Sequence, residues 1–199
     1  MSHYYEPSQK DVKSNPKKIT YTIKDITFKF TTDHGIFSKD HVDDATHLML
    51  NNIHLKPNQK VLDLGCGYGV IGIVLNIIYD AEVTMIDINQ RALEYAEQNV
   101  IDNGSTALVI NSDGFSEITD ETFDIIISNP PIRIGKQKMY AMFLQAKKHL
   151  NIHGALWLVM HKKHGALSAM KYLEQYYDVH CVEKTKGWHI IECRKALTD

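Results

Sequence analysis

Apolar residues near the amino terminus follow a period of two. Residues 19–23 alternate apolar with polar side chains, and residues 26–30 repeat the pattern after Lys24-Asp25. Alternation on both sides of a short polar turn predicts a β-hairpin. Residues 40–52 then carry apolar side chains at helical spacing, which predicts a helix.

From residue 60 onward the pattern alternates between short apolar strands and amphipathic helices. It predicts strands at 60–64, 82–86, 107–111, 123–128 and 155–160, and helices at 70–79, 89–103 and 166–176. A further helix is expected after Pro131. One face of this helix would carry Met139, Phe143, Ala146 and Leu150. The last two strands are predicted at 179–183 and 189–192, joined as a hairpin by Thr185-Lys186-Gly187.

Alternating strands and helices of this kind build a doubly wound α/β sheet. The pattern predicts seven strands, mostly parallel with an antiparallel last strand, plus the amino-terminal hairpin and helix. Residues 1–17 are polar and contain prolines, so we expect them to be loosely ordered. Residues 18–199 are expected to form one domain, in which 18–56 are an amino-terminal extension and 57–199 a ligand-binding core.

Composition narrows the class of protein. The 199 residues are 44% apolar and 23% charged with a formal net charge of −2, so any nucleic-acid binding needs a local basic patch. The three cysteines (Cys66, Cys181 and Cys193) include no Cys-x-x-Cys pair, which favours a reducing compartment without structural zinc. Neither a signal-peptide pattern nor a membrane-spanning apolar run is evident, so we expect a cytoplasmic protein.

A glycine-rich stretch follows the first strand of the predicted sheet and opens a helix. Gly67, Gly69 and Gly72 fit the dinucleotide pattern G-x-G-x-x-G, and Asp87 follows at the spacing of about 20 residues that this pattern requires. A nicotinamide dinucleotide, and therefore an oxidoreductase, is one interpretation.

The other interpretation of this loop begins at Asp63. With Gly65, Gly67 and Gly69 it forms D-x-G-x-G-x-G, which places a carboxylate inside the site. A pyrophosphate near that carboxylate would be repelled, whereas a sulfonium cofactor bearing an amino-acid ammonium group would be attracted. The charge therefore favours the sulfonium cofactor, and Cys66 is most simply a small residue within the loop.

Two further strand ends carry polar residues that suit a nucleoside. Asp87 ends the second strand, where a carboxylate can accept both hydrogen bonds of a ribose diol. Its alternative role is a helix N-terminal charge before Asn89. Asn111-Ser112-Asp113 ends the third strand, where it either meets an adenine edge or forms a capped turn.

The apolar strand at 123–128 ends at Asn129, Pro130 and Pro131. Proline lacks a backbone N–H and holds the preceding residue extended, so this corner is stiff and rich in carbonyl oxygens. Such a corner suits a planar primary amine, whose two hydrogens need acceptors at a fixed angle. In isolation it would indicate only a rigid turn, but downstream of the glycine loop it becomes a candidate catalytic site.

Basic residues follow two of the predicted strand ends. Arg133 and Lys136 come after the corner, and His161, Lys162 and His164 follow the fifth strand. Together they either form a phosphate-binding rim or a solvated surface. The histidines lack further clustered ligands, so no metal site is predicted.

These stretches, in order, resemble the motifs of class I S-adenosylmethionine-dependent methyltransferases over residues 60 to about 194. Asn129-Pro130-Pro131 resembles the motif of enzymes that methylate planar amino groups. Residues 129–136 and the upstream segment 34–38 look like the methyltransferase small domain group, which includes ribosomal small-subunit methyltransferase C, a 16S rRNA guanine-N2 enzyme. Longer members carry a second, amino-terminal domain, so we expect this chain to correspond to the catalytic half.

The resemblance implies S-adenosylmethionine as the cofactor. It assigns cofactor binding to Asp63, Gly65, Cys66, Gly67, Gly69, Asp87, Ile88, Asp113 and Asn129. It assigns catalysis to Asn129, Pro130 and Pro131, with the Asn129 side-chain oxygen and the Pro130 carbonyl accepting the amine hydrogens.

The chain departs from that motif at one position. Amino-methyltransferases commonly have an aromatic residue after the second proline, which stacks on the target base, and Ile132 cannot stack. Phe37 and Trp188 are candidates for this contact, which is worth roughly 1–3 kcal/mol. The substrate-binding residues are then predicted to be Phe37, Ile132, Arg133, Lys136, His161 and Lys162.

The resulting expectation is methyl transfer to guanine N2 of small-subunit ribosomal RNA, either free or in an assembled subunit. The target base must be single-stranded or flipped, because a paired base is out of reach. The alternatives are an N-methyltransferase for a protein glutamine amide or a small-molecule amine, and a non-catalytic RNA-binding module.

Overall fold

The structure, a computed structural model, describes residues 15–33 and 41–196, except for the side chain of Ile132. The chain begins with the hairpin strands β1 (Lys17–Ile23) and β2 (Ile26–Thr32), followed by helix α1 (Asp44–Asn52). The remaining elements are β3 (Lys60–Leu64), α2 (Val70–Tyr79), β4 (Glu82–Asp87), α3 (Gln90–Asn103), β5 (Leu108–Asn111), β6 (Phe123–Ser128), α4 (Lys136–Ala146), β7 (Leu150–His161), α5 (Ala166–Leu173), β8 (Tyr177–Thr185) and β9 (Trp188–Lys195).

Seven strands form the central sheet, in the order β5-β4-β3-β6-β7-β9-β8. Strand β9 lies between β7 and β8 and is antiparallel to both, while β3 to β7 pair in parallel. The predicted fold class is therefore confirmed. The strand order reverses between β3 and β6, so ligands are expected beside the carboxyl ends of these two strands.

Two apolar clusters cover the two faces of the sheet. One cluster joins the hairpin, α1, α2 and α3 to one face, and the other joins α4 and α5 to the opposite face. None of the helices in the described ranges is long and apolar enough to cross a membrane.

The hairpin is fastened to α3 by asparagine side chains. The Asn99 amide accepts from the Thr31 N–H at 2.7 Å and donates to the Thr31 carbonyl at 3.0 Å, and Asn103 bonds both backbone groups of Lys29 in the same way. Asn99 also donates to the Tyr68 carbonyl at 2.8 Å. The hairpin is thereby tied to the glycine loop as well as to the helix.

Several predicted boundaries differ from the structure. Helix α1 begins at Asp44 rather than at residue 40, because the Asp43 side chain caps it by accepting from the Thr46 N–H at 3.0 Å. Leu150, predicted on the helix after Pro131, is instead the first residue of β7, since α4 ends at Ala146 and a 3₁₀ turn follows. Leu150 is buried all the same, and burial of one apolar residue does not distinguish a helix from a strand.

Strand β7 is longer than predicted, and α5 ends at Leu173 instead of residue 176. The expectation that residues 1–17 are loosely ordered concerns a segment that lies largely outside the described residues, and the segment 34–38 lies wholly outside them. The division into an extension and a ligand-binding core stays a prediction.

Candidate active site

The glycine loop connects β3 to α2 at the carboxyl edge of the sheet. Gly65, Gly67 and Gly69 all have positive φ, at 77°, 57° and 93°, which side chains with a Cβ rarely adopt. The N–H groups of Gly65 and Cys66 donate to the Ile86 carbonyl at 2.9 and 3.0 Å. The loop is therefore held against the end of β4 by its own backbone.

Asp63 lies beneath this loop with an unusual carboxylate. One oxygen accepts from the Gly72 N–H at 2.9 Å, while the other has no hydrogen-bond partner among the described residues, although Asp63 is only 1% exposed. Burial, with a smaller contribution from the charge of Asp87, raises the pKa of Asp63 to about 7. A buried carboxylate with an unpartnered oxygen favours a cationic group, as an amino-acid ammonium would provide.

Asp87 is held by two backbone donors at the end of β4. Its two oxygens accept from the Gly67 N–H and the Asn89 N–H, each at 2.9 Å. Burial raises the pKa of this carboxyl, and the backbone hydrogen bonds oppose that shift. The Ile88 backbone also acts on this carboxylate. A carboxylate offers about four acceptor positions, so it keeps acceptor capacity for a ribose hydroxyl.

The other predicted cofactor residues surround these two carboxylates less tightly. Cys66 is buried, and burial raises the pKa of its thiol, so the side chain is neutral. Ile88 is half-buried next to Asp87. Asp113 is exposed after β5 and lies 3.7 Å from the Lys138 ammonium, an exposed pair that contributes little to stability.

The Asn129-Pro130-Pro131 corner follows β6, next to the glycine loop that follows β3. The Ser128 hydroxyl donates to the Leu64 carbonyl at 2.7 Å, which locks the ends of β6 and β3 together. Pro130 is buried, and the Pro131 carbonyl accepts from the Ile134 N–H at 3.2 Å. Among the described residues no hydrogen bond reaches the Pro130 carbonyl, so it can accept one from a substrate.

The Asn129 amide is oriented by helix α1. Its Nδ2 group donates to Asp43 Oδ1 and to Thr46 Oγ1, both at 3.2 Å. Both amide hydrogens are thus used, and Asn129 Oδ1 is left as an acceptor. Sequence reasoning missed Asp43 and Thr46, whose only local signal is the helix-capping pattern.

Asp43 also connects the corner to two buried phenols. Burial, and after it the charge of Asp43, raise the pKa of Tyr21 in the hairpin and of Tyr68 in the glycine loop. The Asp43 carboxylate therefore acts electrostatically on the hairpin and the loop, in addition to its hydrogen bond with Asn129.

The predicted basic rim divides into two parts. Arg133 and Lys136 are exposed after the corner, with the Lys136 ammonium 5.2 Å from the centroid of the Tyr140 ring. His161 ends β7, where Nδ1 accepts from the Lys163 N–H at 3.2 Å and Nε2 lies 3.3 Å from the Lys186 carbonyl. Both nitrogens of His161 are thus engaged, whereas the Lys162 side chain is exposed.

Phe37 and the Ile132 side chain fall outside the described part of the structure, and Trp188 is half-buried at the start of β9. Within residues 15–33 and 41–196, no three ligating side chains gather to hold a metal ion.

A polar cleft of about 600 Å³ lies at the opposite, amino edge of the sheet. It is lined by Lys60, Asp80, Glu82, Thr106 and Asp120, among others. Ligands of doubly wound sheets bind at the carboxyl edge, where the glycine loop and the corner lie.

Comparison with known proteins identifies the family. The model of the methyltransferase small domain matches residues 27–192. The chain belongs to the methyltransferase small domain family. This membership confirms the predicted family and the prediction of S-adenosylmethionine as the cofactor, and it excludes the oxidoreductase interpretation.

Relatives of this chain differ in length. The uncharacterized protein YbxB of Bacillus subtilis is 40% identical over 98% of this chain and 100% of its own length. The ribosomal RNA small subunit methyltransferase C of Pasteurella multocida is 39% identical over 80% of this chain, and that of Haemophilus influenzae strain PittEE 43% identical over 63%. The aligned region spans only 49% and 39% of these two enzymes.

A solved structure shows the same fold. The 16S rRNA N2 methyltransferase RsmC of T. thermophilus, in complex with AdoMet and guanosine, superposes with a TM-score of 0.82 at 24% identity. The match covers 91% of this small-domain chain and 51% of that enzyme. This methyltransferase chain therefore corresponds to about half of the longer enzymes.

Proposed function

We propose that this chain transfers a methyl group from S-adenosylmethionine to an exocyclic amine, guanine N2 of small-subunit ribosomal RNA. The observation that carries the proposal is the orientation of the Asn129 amide. Because Asp43 and Thr46 take both amide hydrogens, the corner offers Asn129 Oδ1 as an acceptor beside the glycine loop. A primary amine, with two hydrogens to donate, is the chemical group that this corner fits.

The cofactor is held by the loop residues in this proposal. The unpartnered oxygen of Asp63 binds the ammonium group, and Asp87 accepts from the ribose hydroxyls. Ile88 and Asp113 border the adenine. Gly65, Cys66, Gly67 and Gly69 leave room for the methionine part, since they carry no bulky side chain.

Catalysis then depends on positioning at the corner. When bound, S-adenosylmethionine supplies a methyl group on a positively charged sulfur, which reacts with a nitrogen lone pair. Asn129 Oδ1 and the Pro130 carbonyl each accept one amine hydrogen, which turns the lone pair out of conjugation with the ring. The rigid Pro130-Pro131 backbone fixes the angle between these acceptors.

Charge at the corner also favours the reaction. The amine nitrogen becomes positive as it is methylated, and the Asp43 carboxylate lies behind Asn129 to stabilise that charge. Water at the half-exposed corner takes the released proton, so no strong base is needed at the outset.

The RNA substrate is supported by relatives and by the rim. Two related enzymes are named as ribosomal RNA small subunit methyltransferases, and the solved neighbour acts at guanine N2 of 16S rRNA. Arg133, Lys136 and Lys162 are exposed at the same edge as the corner, where they can contact phosphates. A cytoplasmic location, as expected from the sequence, is consistent with a ribosomal RNA substrate.

The test is methyl transfer from tritium-labelled S-adenosylmethionine to separated RNA, protein and metabolite fractions of a bacterial cell. We expect label in small-subunit RNA with the natural chain and a large loss with Asn129→Ala. The matched control is Asn151→Ala, a half-buried asparagine at the amino edge whose amide donates to Asp124 at 2.7 Å. Label in protein or metabolites instead, or equal labelling by Asn129→Ala, would overturn the proposal.

A further inference from the structure

Two turns at the carboxyl edge of the sheet form one unit. The Lys162 N–H donates to the Gly187 carbonyl at 2.8 Å, and His161 Nε2 lies 3.3 Å from the Lys186 carbonyl. These contacts join the turn after β7 to the turn between β8 and β9. We call residues 161–164 and 184–188 together the paired turns.

The paired turns concentrate positive charge on an otherwise slightly acidic chain. Their exposed lysines are Lys162, Lys163, Lys184 and Lys186. In the described parts of the chain, no carboxylate forms a salt bridge with any of the four. Unpaired lysines on adjacent turns create a local positive potential that favours a polyanion.

An aromatic residue, Trp188, ends the second of the paired turns, and its ring also packs against the apolar core. Trp188 is half-buried, and its ring packs edge-on against His161, with 4.9 Å between centroids and 77° between planes. His161 is itself fixed by hydrogen bonds through both ring nitrogens. Gly187 permits this arrangement, because a Cβ there would lie 2.5 Å from His161 Nε2.

The position of Trp188 relates it to the catalytic corner. In the sheet, Ser128 of β6 pairs with Leu158 of β7, and Trp188 of β9 pairs with His161 of β7. Two strand spacings and the offset along the strand place the Trp188 backbone about 12 Å from that of Asn129. At that separation Trp188 can contact a nucleotide next to the one bound at the corner, rather than the target base for which the sequence analysis considered it.

We propose that the paired turns bind the single-stranded RNA that flanks the target nucleotide. A flanking base stacks on Trp188, and the four lysines contact the adjoining phosphates. Cationic side chains around a rigid aromatic ring are how proteins bind single-stranded nucleic acid without strict sequence preference. The inference rests on the proposed function for the identity of the RNA, and it adds a second contact site outside the catalytic corner.

The experiment measures binding of a fluorescein-labelled single-stranded RNA oligonucleotide by anisotropy across a salt series. We expect Trp188→Ala to weaken binding about tenfold to a hundredfold and Trp188→Phe to restore most of it, because phenylalanine still stacks. Lys184→Glu with Lys186→Glu should weaken binding and reduce the slope of log affinity against log salt by about two. Affinity for S-adenosylhomocysteine should stay unchanged in all of these variants, which also shows that they fold.

The matched control is Lys24→Glu. Lys24 occupies the first position of the other two-residue turn with the same φ of 49° as Lys186, but its ammonium contacts the Tyr79 hydroxyl and ring. We expect the Lys24 variant to bind RNA normally.

Two outcomes separate this inference from the proposed function. Unchanged RNA binding and methylation by the Trp188 and Lys184/Lys186 variants would overturn the paired turns as an RNA site and leave the proposed function intact. If these variants lost RNA binding while the natural chain methylated no RNA, the binding result would support the RNA site and the methylation result would overturn the proposed function.

Discussion

The glycine loop and the Asn129-Pro130-Pro131 corner lie side by side at one edge of the sheet, yet they are built differently. The hydrogen bonds that hold the loop join residues close in sequence. Asp63 accepts from Gly72, nine residues later, and Asp87 accepts from Gly67, twenty residues earlier. Asn129, in contrast, takes its orientation from Asp43, which is 86 residues away. In the proposed function, cofactor binding therefore depends on a local motif, whereas amine recognition depends on how α1 packs against the sheet.

This difference implies that the two functions can be separated by mutation. Changes at α1 or at the corner should impair methyl transfer with little effect on the cofactor, and changes in the loop should first impair cofactor affinity.

The largest effect is expected from Asn129→Ala. The substitution removes one amine acceptor and leaves the prolines and the glycine loop intact. Loss of one preorganised polar contact at a reacting centre lowers kcat by about a hundredfold to a thousandfold. Single-turnover transfer measures this loss, and calorimetry should show that the affinity for S-adenosylhomocysteine is nearly unchanged. The control variant Asn151→Ala should keep both the transfer rate and the affinity of the natural chain. A full single-turnover rate would mean that Asn-Pro-Pro is only a turn.

The next effect concerns Asp63→Asn. Loss of a charged partner for an ammonium group should weaken S-adenosylmethionine binding roughly tenfold to a hundredfold. Asp124→Asn is the control, because Asp124 likewise accepts a backbone N–H, from Lys60 at 2.8 Å, but at the amino edge. If calorimetry found equal affinity for the natural chain and Asp63→Asn, the ammonium assignment would be wrong.

The same carboxyl predicts a pH dependence. Because its pKa is raised to about 7, Asp63 is neutral below that pH and charged above it. The proton and the cationic ligand compete, so cofactor affinity should rise as pH increases through 7, by at most about tenfold per pH unit. Calorimetry between pH 5.5 and 8.5 measures the slope of log affinity against pH, which gives the number of linked protons. Asp63→Asn should flatten this slope. A slope that the substitution does not change would contradict the assignment.

A smaller effect, about tenfold on kcat, is expected from Asp43→Ala, since the Asn129 amide loses one of two orienting contacts. Asp43→Asn keeps both an acceptor and a helix cap, so it should recover part of the rate. Asp44→Ala, an exposed neighbour in the first turn, is the control. Cofactor affinity should not change in any of the three. A parallel loss of cofactor affinity in Asp43→Ala would contradict the separation of the two functions.

The smallest effect is expected at the rim. Lys136→Glu should raise the KM for RNA several-fold and lower the salt dependence of binding, with Lys56→Glu at the amino edge as the control. Steady-state kinetics over a salt series give both quantities. RNA kinetics that do not change would identify Lys136 as a solvated surface residue.

The same contrast explains what could be predicted from the sequence. Strand and helix periods, the positive-φ glycines and the strand-end position of Asp87 are local features, so the fold class and the glycine loop were predictable. Leu150 was placed on the wrong element, because an apolar residue after a helix is equally compatible with the start of a buried strand.

The partners of the corner could not be predicted in the same way. Asp43 is recognisable in the sequence only as a helix cap, and its contact with Asn129 exists only once α1 has packed against α2, β7 and β9. His161 and Trp188 likewise meet only through the register of β7 with β9, which a one-residue slip would abolish.

The most direct test of the central claim is the identity of the methylated nucleoside. Small-subunit RNA is incubated with the natural chain and isotopically labelled S-adenosylmethionine, digested to nucleosides and analysed by mass spectrometry against synthetic standards. The account predicts labelled N2-methylguanosine, strongly reduced with Asn129→Ala. Label on a ring nitrogen, on carbon or on a ribose hydroxyl would contradict it, because none of these acceptors presents the two amine hydrogens that the Asn129 corner is proposed to accept.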